Sequence, residues 1–281
     1  MTTTYEVVGK PVTRQEGPDK VLGTFLYSAD VNLPGMIWGK VLRSPFPHAK
    51  IVKIDASKAL AMPGVHAVIT GQDTLGMRIG RSVRDVPLLA EDEVRFVGEK
   101  VAAVAADSPD IAEEALLLIE VEYEPLPAIF DPIEAMEPDA PLVHDGSPSF
   151  ESSSGPIQPE GNVVNHSTWS SGDMKQGFSE SDQIFEHTFT TTWVHQGYME
   201  PYACVVDIDD AERVQVWANN KVPYTLRKQL ADALGLPEEQ IRVNPCGIGG
   251  DFGGKSPAMN VPIAYFLAKS SGRPVKMNMS Y

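Results

Sequence analysis

Little in this sequence reacts, crosses a bilayer or grips a polyanion. Its 281 residues include two cysteines, Cys204 and Cys246, with no C-x-x-C pair and no Cys/His spacing. That excludes a zinc ribbon and a disulfide scaffold, and it fits free thiols in a reducing compartment. The opening stretch MTTTYEVVGK has no apolar core of the kind a secretory signal needs. Apolar runs such as Ala115 to Ile119 are far too short to span a membrane. Basic residues are scarce: 23 Lys and Arg face 38 Asp and Glu, a net charge of −15. A chain so acidic does not take a nucleic-acid backbone as its main partner, because that requires clustered cations. These absences point to a cytoplasmic protein with no membrane span, no nucleic-acid partner and no metal ligand set of its own.

What is present is a folded chain. Apolar residues make up 42%, enough for a sizeable core, and the length suggests about two domains. Strand-like runs occur at Ile37 to Leu42, Lys50 to Ile54, Val65 to Thr70 and Lys100 to Ala106. Asp55 is placed to cap a short helix over 56–61, closed by Met62-Pro63-Gly64. Ser108 followed by Pro109 starts a second helix, to about Leu117, and Leu118 to Tyr123 returns as a strand. Strands mixed with helices predict an α+β domain over residues 1–135.

Residues 136–180 differ. Asp145-Gly146-Ser147-Pro148 and Ser152-Ser153-Ser154-Gly155-Pro156 give this stretch the composition of a linker. Order returns over 181–281. Ile184 to Trp193 alternates and reads as a strand. Ala203 to Ile208 and Arg213 to Trp217 read as a hairpin across Asp209-Asp210. Tyr224 to Leu234 is helical and stops at Gly235, Gln240 to Val243 is a short strand, and Pro257 to Ser270 reads as a helix closed by Gly272. The last residues, Lys276 to Tyr281, alternate like a strand with nothing after them to pair with. That predicts a fold either cut through at this point or completed by another polypeptide.

The most informative stretch is Gly247-Ile248-Gly249-Gly250-Asp251-Phe252-Gly253-Gly254-Lys255-Ser256. Its glycines let backbone approach a ligand and adopt positive φ, and successive amides can cradle an anion or oxo group. A bland alternative is a tight turn between strand and helix. Read literally, Gly249 to Ser256 also fits the phosphate-binding pattern G-x-x-x-x-G-K-S, the signature of a P-loop-type nucleotide hydrolase. Pro257, directly after the serine, and the absence of a downstream Mg²⁺-linked Asp argue against that reading.

The segment Gly249-Gly250-Asp251-Phe252-Gly253-Gly254-Lys255 resembles the GG-x-FGG-K loop of the molybdopterin-binding subunit of the xanthine dehydrogenase/aldehyde oxidase family. Four further segments resemble its α/β hammerhead domain: Val41 to Ala49, Ala61 to Val65, Val94 to Glu99 and Val121 to Pro127. His195-Gln196-Gly197-Tyr198-Met199-Glu200-Pro201 is similar to the strand that opens the molybdenum domain. The resemblance runs through essentially the whole chain in the family's order. It implies an α/β hammerhead domain followed by the first part of a molybdopterin-binding domain.

It further implies a molybdenum hydroxylase that oxidises a C–H of a heterocycle, aldehyde or aromatic-type small molecule with oxygen from water. The cofactor implied is molybdenum–molybdopterin, in the cytosine dinucleotide form and shared with a partner chain. Fe–S clusters and FAD would sit on partner subunits. Cofactor-facing residues would be Gly249, Gly250, Asp251, Phe252, Gly253 and Gly254, with an amide near Phe252 donating to a metal oxygen. Where the family often has a glutamine near that oxygen, Lys221 stands here, with Asn219 and Asn220 as neighbouring alternatives. Asp251 replaces a small residue, and Ser256 replaces the glutamate of the purine-oxidising branch, which argues against xanthine. No catalytic residue is assigned: the base, a glutamate, is expected on a second molybdopterin-binding polypeptide. The competing expectation is a non-catalytic assembly or scaffold subunit. His195 reads as a structural histidine and Glu200 as a structural carboxylate beside the site.

Overall fold

The structure is a computed structural model, and it describes residues 5–80, 83–144, 150–152 and 155–280. Its main body is one seven-stranded mixed sheet. The strands are β1 (Ile37–Arg43), β3 (Val65–Thr70), β4 (Lys100–Ala106), β6 (Ala203–Ile208), β7 (Val214–Ala218), β8 (Ile241–Asn244) and β9 (Val275–Asn278), in the order β8-β7-β6-β9-β1-β4-β3. A three-stranded sheet joins β2 (Ala49–Asp55) to β5 (Glu120–Pro125) and to Glu93–Val94. Helices α1 (Pro109–Leu116), α2 (Pro223–Leu234) and α3 (Val261–Ser271) pack on the large sheet. The α+β class expected from the sequence is what the chain adopts.

Local chemistry explains most boundaries. Ser108 caps α1, its hydroxyl accepting the Ile111 amide at 3.2 Å, with Pro109 in the first turn where no amide is needed. Asp55 accepts the Ser57 amide at 3.1 Å ahead of the short helix Ser57–Leu60. Gly235 and Gly272 close α2 and α3 in the left-handed conformation. β4 reads Lys-Val-Ala-Ala-Val-Ala-Ala because both its faces are covered. Ala103 and Ala105 enter the core shared with α2 and α3, while Ala102, Val104 and Ala106 enter a second core with α1.

β9 lies inside the sheet rather than waiting for a partner. It runs parallel to β1 (Ile37 opposite Val275) and antiparallel to β6 (Cys204 opposite Met277). The expectation of an unpaired last strand is thereby corrected. Its partners lie far away in sequence, which reading forward along the chain could not find.

Two further expectations are corrected. Ile184 to Trp193 alternates, yet it forms no strand: it lies exposed and irregular, with Phe185, Phe189 and Trp193 in solvent. Alternation creates a strand only where an edge is there to pair with. The last long helix begins at Val261, not Pro257, because residues 251–260 are consumed by turns, with Met259 at φ 46°.

Within the Ser/Pro/Gly-rich stretch, Asp145 to Pro148 and Ser153-Ser154 lie outside the described residues. Some of its described parts are tied down. Glu151–Ser152 pairs with Val83–Arg84, and the Asn162 side chain bonds the backbone of Ala135, Pro141 and Val143.

Candidate functional site

The glycine loop leaves β8 and is fastened at its base before it opens. The Gly247 amide donates to the Leu26 carbonyl at 2.8 Å. A β-carbon on Gly247 would lie 2.2 Å from Cε1 of Phe25, so only glycine fits. The next fastening is Glu200. Its Oε2 accepts the Gly249 amide at 2.7 Å and the Lys255 ammonium at 2.6 Å. Lys255 is fully buried, with its Nζ 4.7 Å from the centre of the Tyr198 ring. Tyr202 donates its hydroxyl to the Gly254 carbonyl at 2.8 Å. One loose end remains: Glu200 Oε1 is buried with no hydrogen-bond partner.

A second carboxylate works from inside the loop. Asp251 Oδ1 accepts the Lys255 amide at 2.6 Å, and Oδ2 accepts the Gly253 amide at 2.9 Å and the Lys221 ammonium at 2.6 Å. Partial burial pushes the Asp251 carboxyl up, but Lys221 and the two amides outweigh it and hold the group below the usual aspartate range. Gly250 and Gly253 take φ of 96° and 95°, a region closed to ordinary side chains. Phe252 also has positive φ, 47°, and is 73% exposed.

Among the described residues, the amides of Gly250, Asp251 and Phe252 have no acceptor. Three consecutive free donors on a loop with left-handed turns are a donor run of the kind that can take an oxygen or anion.

The neighbouring β7-to-α2 turn separates the three candidates there. Asn219 is buried, accepting the Ala203 amide at 3.1 Å and donating to the Pro201 carbonyl at 2.7 Å. Asn220 donates to the carbonyls of Ser256 and Pro257 and accepts the Val222 amide. Both asparagines staple backbone. Lys221 alone of the three bonds a side chain of the loop, that of Asp251.

Lys255 does not serve a phosphate cradle. Its head is sealed against Glu200, and α3 starts at Val261, past Ser256 and its following turn. The Cys246 thiol, next to the loop, is pushed up to about 11 by burial and by the Glu200 charge; burial pushes the Cys204 thiol up to about 12. Neither is a ready nucleophile. His195 accepts the Gly197 amide at 3.1 Å through Nδ1, 2 residues on. Among the described residues no group of three His, Cys, Asp or Glu is arranged to hold a metal ion, and no helix is long and apolar enough to cross a membrane.

Sequence reasoning passed over Tyr198 and Tyr202, and it gave Lys255 no role outside the phosphate-binding pattern. The signal for them was the spacing Tyr198-Met199-Glu200-Pro201-Tyr202, which delivers two phenols and a carboxylate to one side of the loop.

Comparison with known proteins gives the family. Residues 22–127 match the family model described as the aldehyde oxidase and xanthine dehydrogenase a/b hammerhead domain, and residues 157–281 match the molybdopterin cofactor-binding domain. The chain belongs to the xanthine dehydrogenase/aldehyde oxidase family. Within this family it is 40% identical over 276 residues to a probable xanthine dehydrogenase subunit of Bacillus subtilis (strain 168), covering 98% of this chain and 35% of that protein. It is 34% identical to the nicotinate dehydrogenase large molybdopterin subunit of Eubacterium barkeri, covering 97% of this chain and 61% of that subunit.

Among solved structures, quinoline 2-oxidoreductase from Pseudomonas putida 86 superimposes with a TM-score of 0.85 at 32% identity. The match covers 97% of this chain and 34% of that one. A Cu,Mo-CO dehydrogenase gives 0.84 at 34% identity, covering 97% and 35%. The chain thus spans about a third of the length of most of these relatives. Its fold is the hammerhead domain plus molybdopterin-binding domain architecture of the family.

Proposed function

We propose that this chain provides one wall of the molybdenum–pterin site of a molybdenum hydroxylase, with Gly249 to Gly254 and Lys221 facing the cofactor. The cofactor would be the cytosine dinucleotide form, supplying two-electron oxidation of a C–H in a heterocycle, aldehyde or aromatic-type substrate. Fe–S and FAD partner subunits would carry the electrons away. The observation that carries the reading is the free amide run at Gly250, Asp251 and Phe252, on a loop whose base is held rigid by Glu200 and Lys255.

The residues fit such a group. Gly253 has open space where a β-carbon would stand, and Phe252 projects into solvent, so the loop can meet a flat ligand closely. The free amides donate to an oxygen at fixed positions, which stabilises charge there without reorganisation. Phe252 covers the ligand edge and excludes water. Lys221 offers a further donor beside the loop. Ser256, a buried hydroxyl, supplies no carboxylate of the kind the purine-oxidising branch places there. The proton-abstracting base comes from outside these residues. The strand-patterned but unpaired stretch around Phe185, Phe189 and Trp193 supports a surface that further polypeptide covers.

The test is metal and pterin analysis of the natively purified complex, together with Phe252→Ala. We expect molybdenum and pterin in the native complex. We also expect turnover about 10- to 100-fold lower in the variant, with assembly intact, as for loss of a group that positions reactants. A native complex without molybdenum, or a variant with unchanged turnover, overturns the reading.

A further inference from the structure

The loop contains an ion pair that nothing in the fold requires. Asp251 and Lys221 lie 30 residues apart in sequence and meet at 2.6 Å beside three unpartnered amides. Neither is buried like Lys255: the side chains are 19% and 40% exposed. A surface pair of this kind contributes little to stability, so its position calls for another account. Asp251 already holds the loop through the amides of Gly253 and Lys255, and those two bonds need an acceptor oxygen but no lysine. What the lysine gains is a fixed place. An unpaired lysine on an exposed turn sweeps through many rotamers. Here one ammonium hydrogen is given to Asp251, and the others have no acceptor among the described residues.

We propose that Asp251 is a positioning residue for Lys221, locking its ammonium as a directed donor beside the glycine loop while cancelling its charge, so that the pair recognises a ligand oxygen as one neutral unit. This rests on the reading of the loop as the cofactor wall and names a role within it. The physical consequence is coupling. Removing the lysine alone leaves a bare carboxylate beside the oxygen-binding amides, which repels an oxygen-rich ligand. Removing the carboxylate charge alone frees the lysine to move and leaves its charge uncancelled. Removing both charges leaves a neutral pair of amides that can still bond one another. The double variant is therefore closer to the natural protein than either single one.

The experiment uses the native complex carrying Lys221→Gln, Asp251→Asn, both together, or Lys221→Arg. It reads molybdenum per protomer after dialysis, and the thermal midpoint. We expect about a fivefold fall in molybdenum for each single variant, recovery in the double variant to within about twofold of the natural level, and retention by Lys221→Arg, as directly coupled charges require. Midpoints of the two variants carrying Asp251→Asn should fall together by a few degrees, since its single side-chain carbonyl can accept from only one of the Gly253 and Lys255 amides, while those of Lys221→Gln and Lys221→Arg should stay with the natural protein. Single variants with full molybdenum, or a double variant losing the product of the single losses, overturn the inference. If the natural complex itself holds no molybdenum, the functional reading falls first and this inference with it. Molybdenum in the natural complex with no coupling removes the inference alone.

Discussion

Lys255→Met tests the base of the loop directly. Lys255 has no exposed side-chain surface, and its ammonium meets Glu200 Oε2 at 2.6 Å, so the substitution deletes one half of a buried ion pair. Methionine keeps the volume and the flexible stem, which isolates the electrostatic loss from packing. Breaking a buried pair from one side costs about 3–5 kcal/mol, because the surviving charge is left uncompensated. Here Glu200 keeps the Gly249 amide, and a charge-assisted bond of that kind offsets roughly 1–2 kcal/mol. Losing the ammonium over the Tyr198 ring adds back about 1 kcal/mol. The net expectation is a loss of about 3 kcal/mol. Glu200→Gln in the same background removes the stranded charge while its side-chain oxygen can still accept the Gly249 amide, so the double variant should lose only about 1–2 kcal/mol. The assay is denaturant unfolding, paired with hydrogen exchange at the Gly249 amide, which should speed up in Lys255→Met and partly recover in the double variant. A single variant costing under about 0.5 kcal/mol, or a double variant costing the sum of both singles, refutes the account of Glu200 as the shared anchor.

Two other consequences are as direct. Gly39→Ala in β1 would put a β-carbon 2.7 Å from Met277 Cγ and 3.0 Å from Val275 Cγ1 across the β1–β9 pair. Thermal unfolding should show a loss of about 1–2 kcal/mol, softened by the flexibility of methionine; unchanged stability would mean the two strands do not pack this way. Lys100 is held down to about 8 from 10.5, chiefly by burial and then by the Arg43 charge. The unfolded chain therefore binds the extra proton between pH 8 and 10.5, and stability should rise with pH through that window. Lys100→Met should flatten that rise and gain about 1 kcal/mol at pH 7, after allowing for the lost bond to the Met259 carbonyl; a rise that persists in the variant would place the titration elsewhere.

The sequence reading succeeded where the information is local and failed where it is not. Ser108-Pro109, Gly235 and Gly272 mark helix ends because capping is settled within a few residues. The hairpin over 203–217 and the strand at 100–106 follow from alternation and small apolar runs. The pairing of β9 with β1 links residues more than 230 apart, and no pattern in either strand announces the other. In the loop, glycine content revealed a special backbone but not its supports. Positive φ at Gly250 and Gly253 is readable in principle. That Gly249 and Gly254 are glycines because Glu200 and Tyr198 press against them is not: their β-carbons would lie 2.7 Å from Glu200 Cβ and 2.6 Å from Tyr198 Cε1. The Ile184 to Trp193 stretch shows the reverse failure, a sound local pattern without a neighbouring strand to realise it.

The supports explain why the loop can be stiff at its base and open at its tip. Three segments distant in sequence converge on it: Phe25 to Tyr27 on Gly247, Tyr198 to Tyr202 on Gly249, Gly254 and Lys255, and Asn220-Lys221 on Asp251 and the Ser256 and Pro257 carbonyls. Each is carried by a different part of the large sheet or its margin: the first precedes β1, the second leads into β6, the third leaves β7. Because β9 joins β1 to β6, the amino-terminal segment and the later strands hold these supports in a common frame. The amides of Gly247, Gly249, Gly253, Gly254 and Lys255 are all bonded, while those of Gly250, Asp251 and Phe252 between them are not. A loop so fastened cannot fold back to satisfy its own donors. Its three free amides must therefore meet water or a ligand, and the fold fixes in advance where that ligand's oxygen would lie.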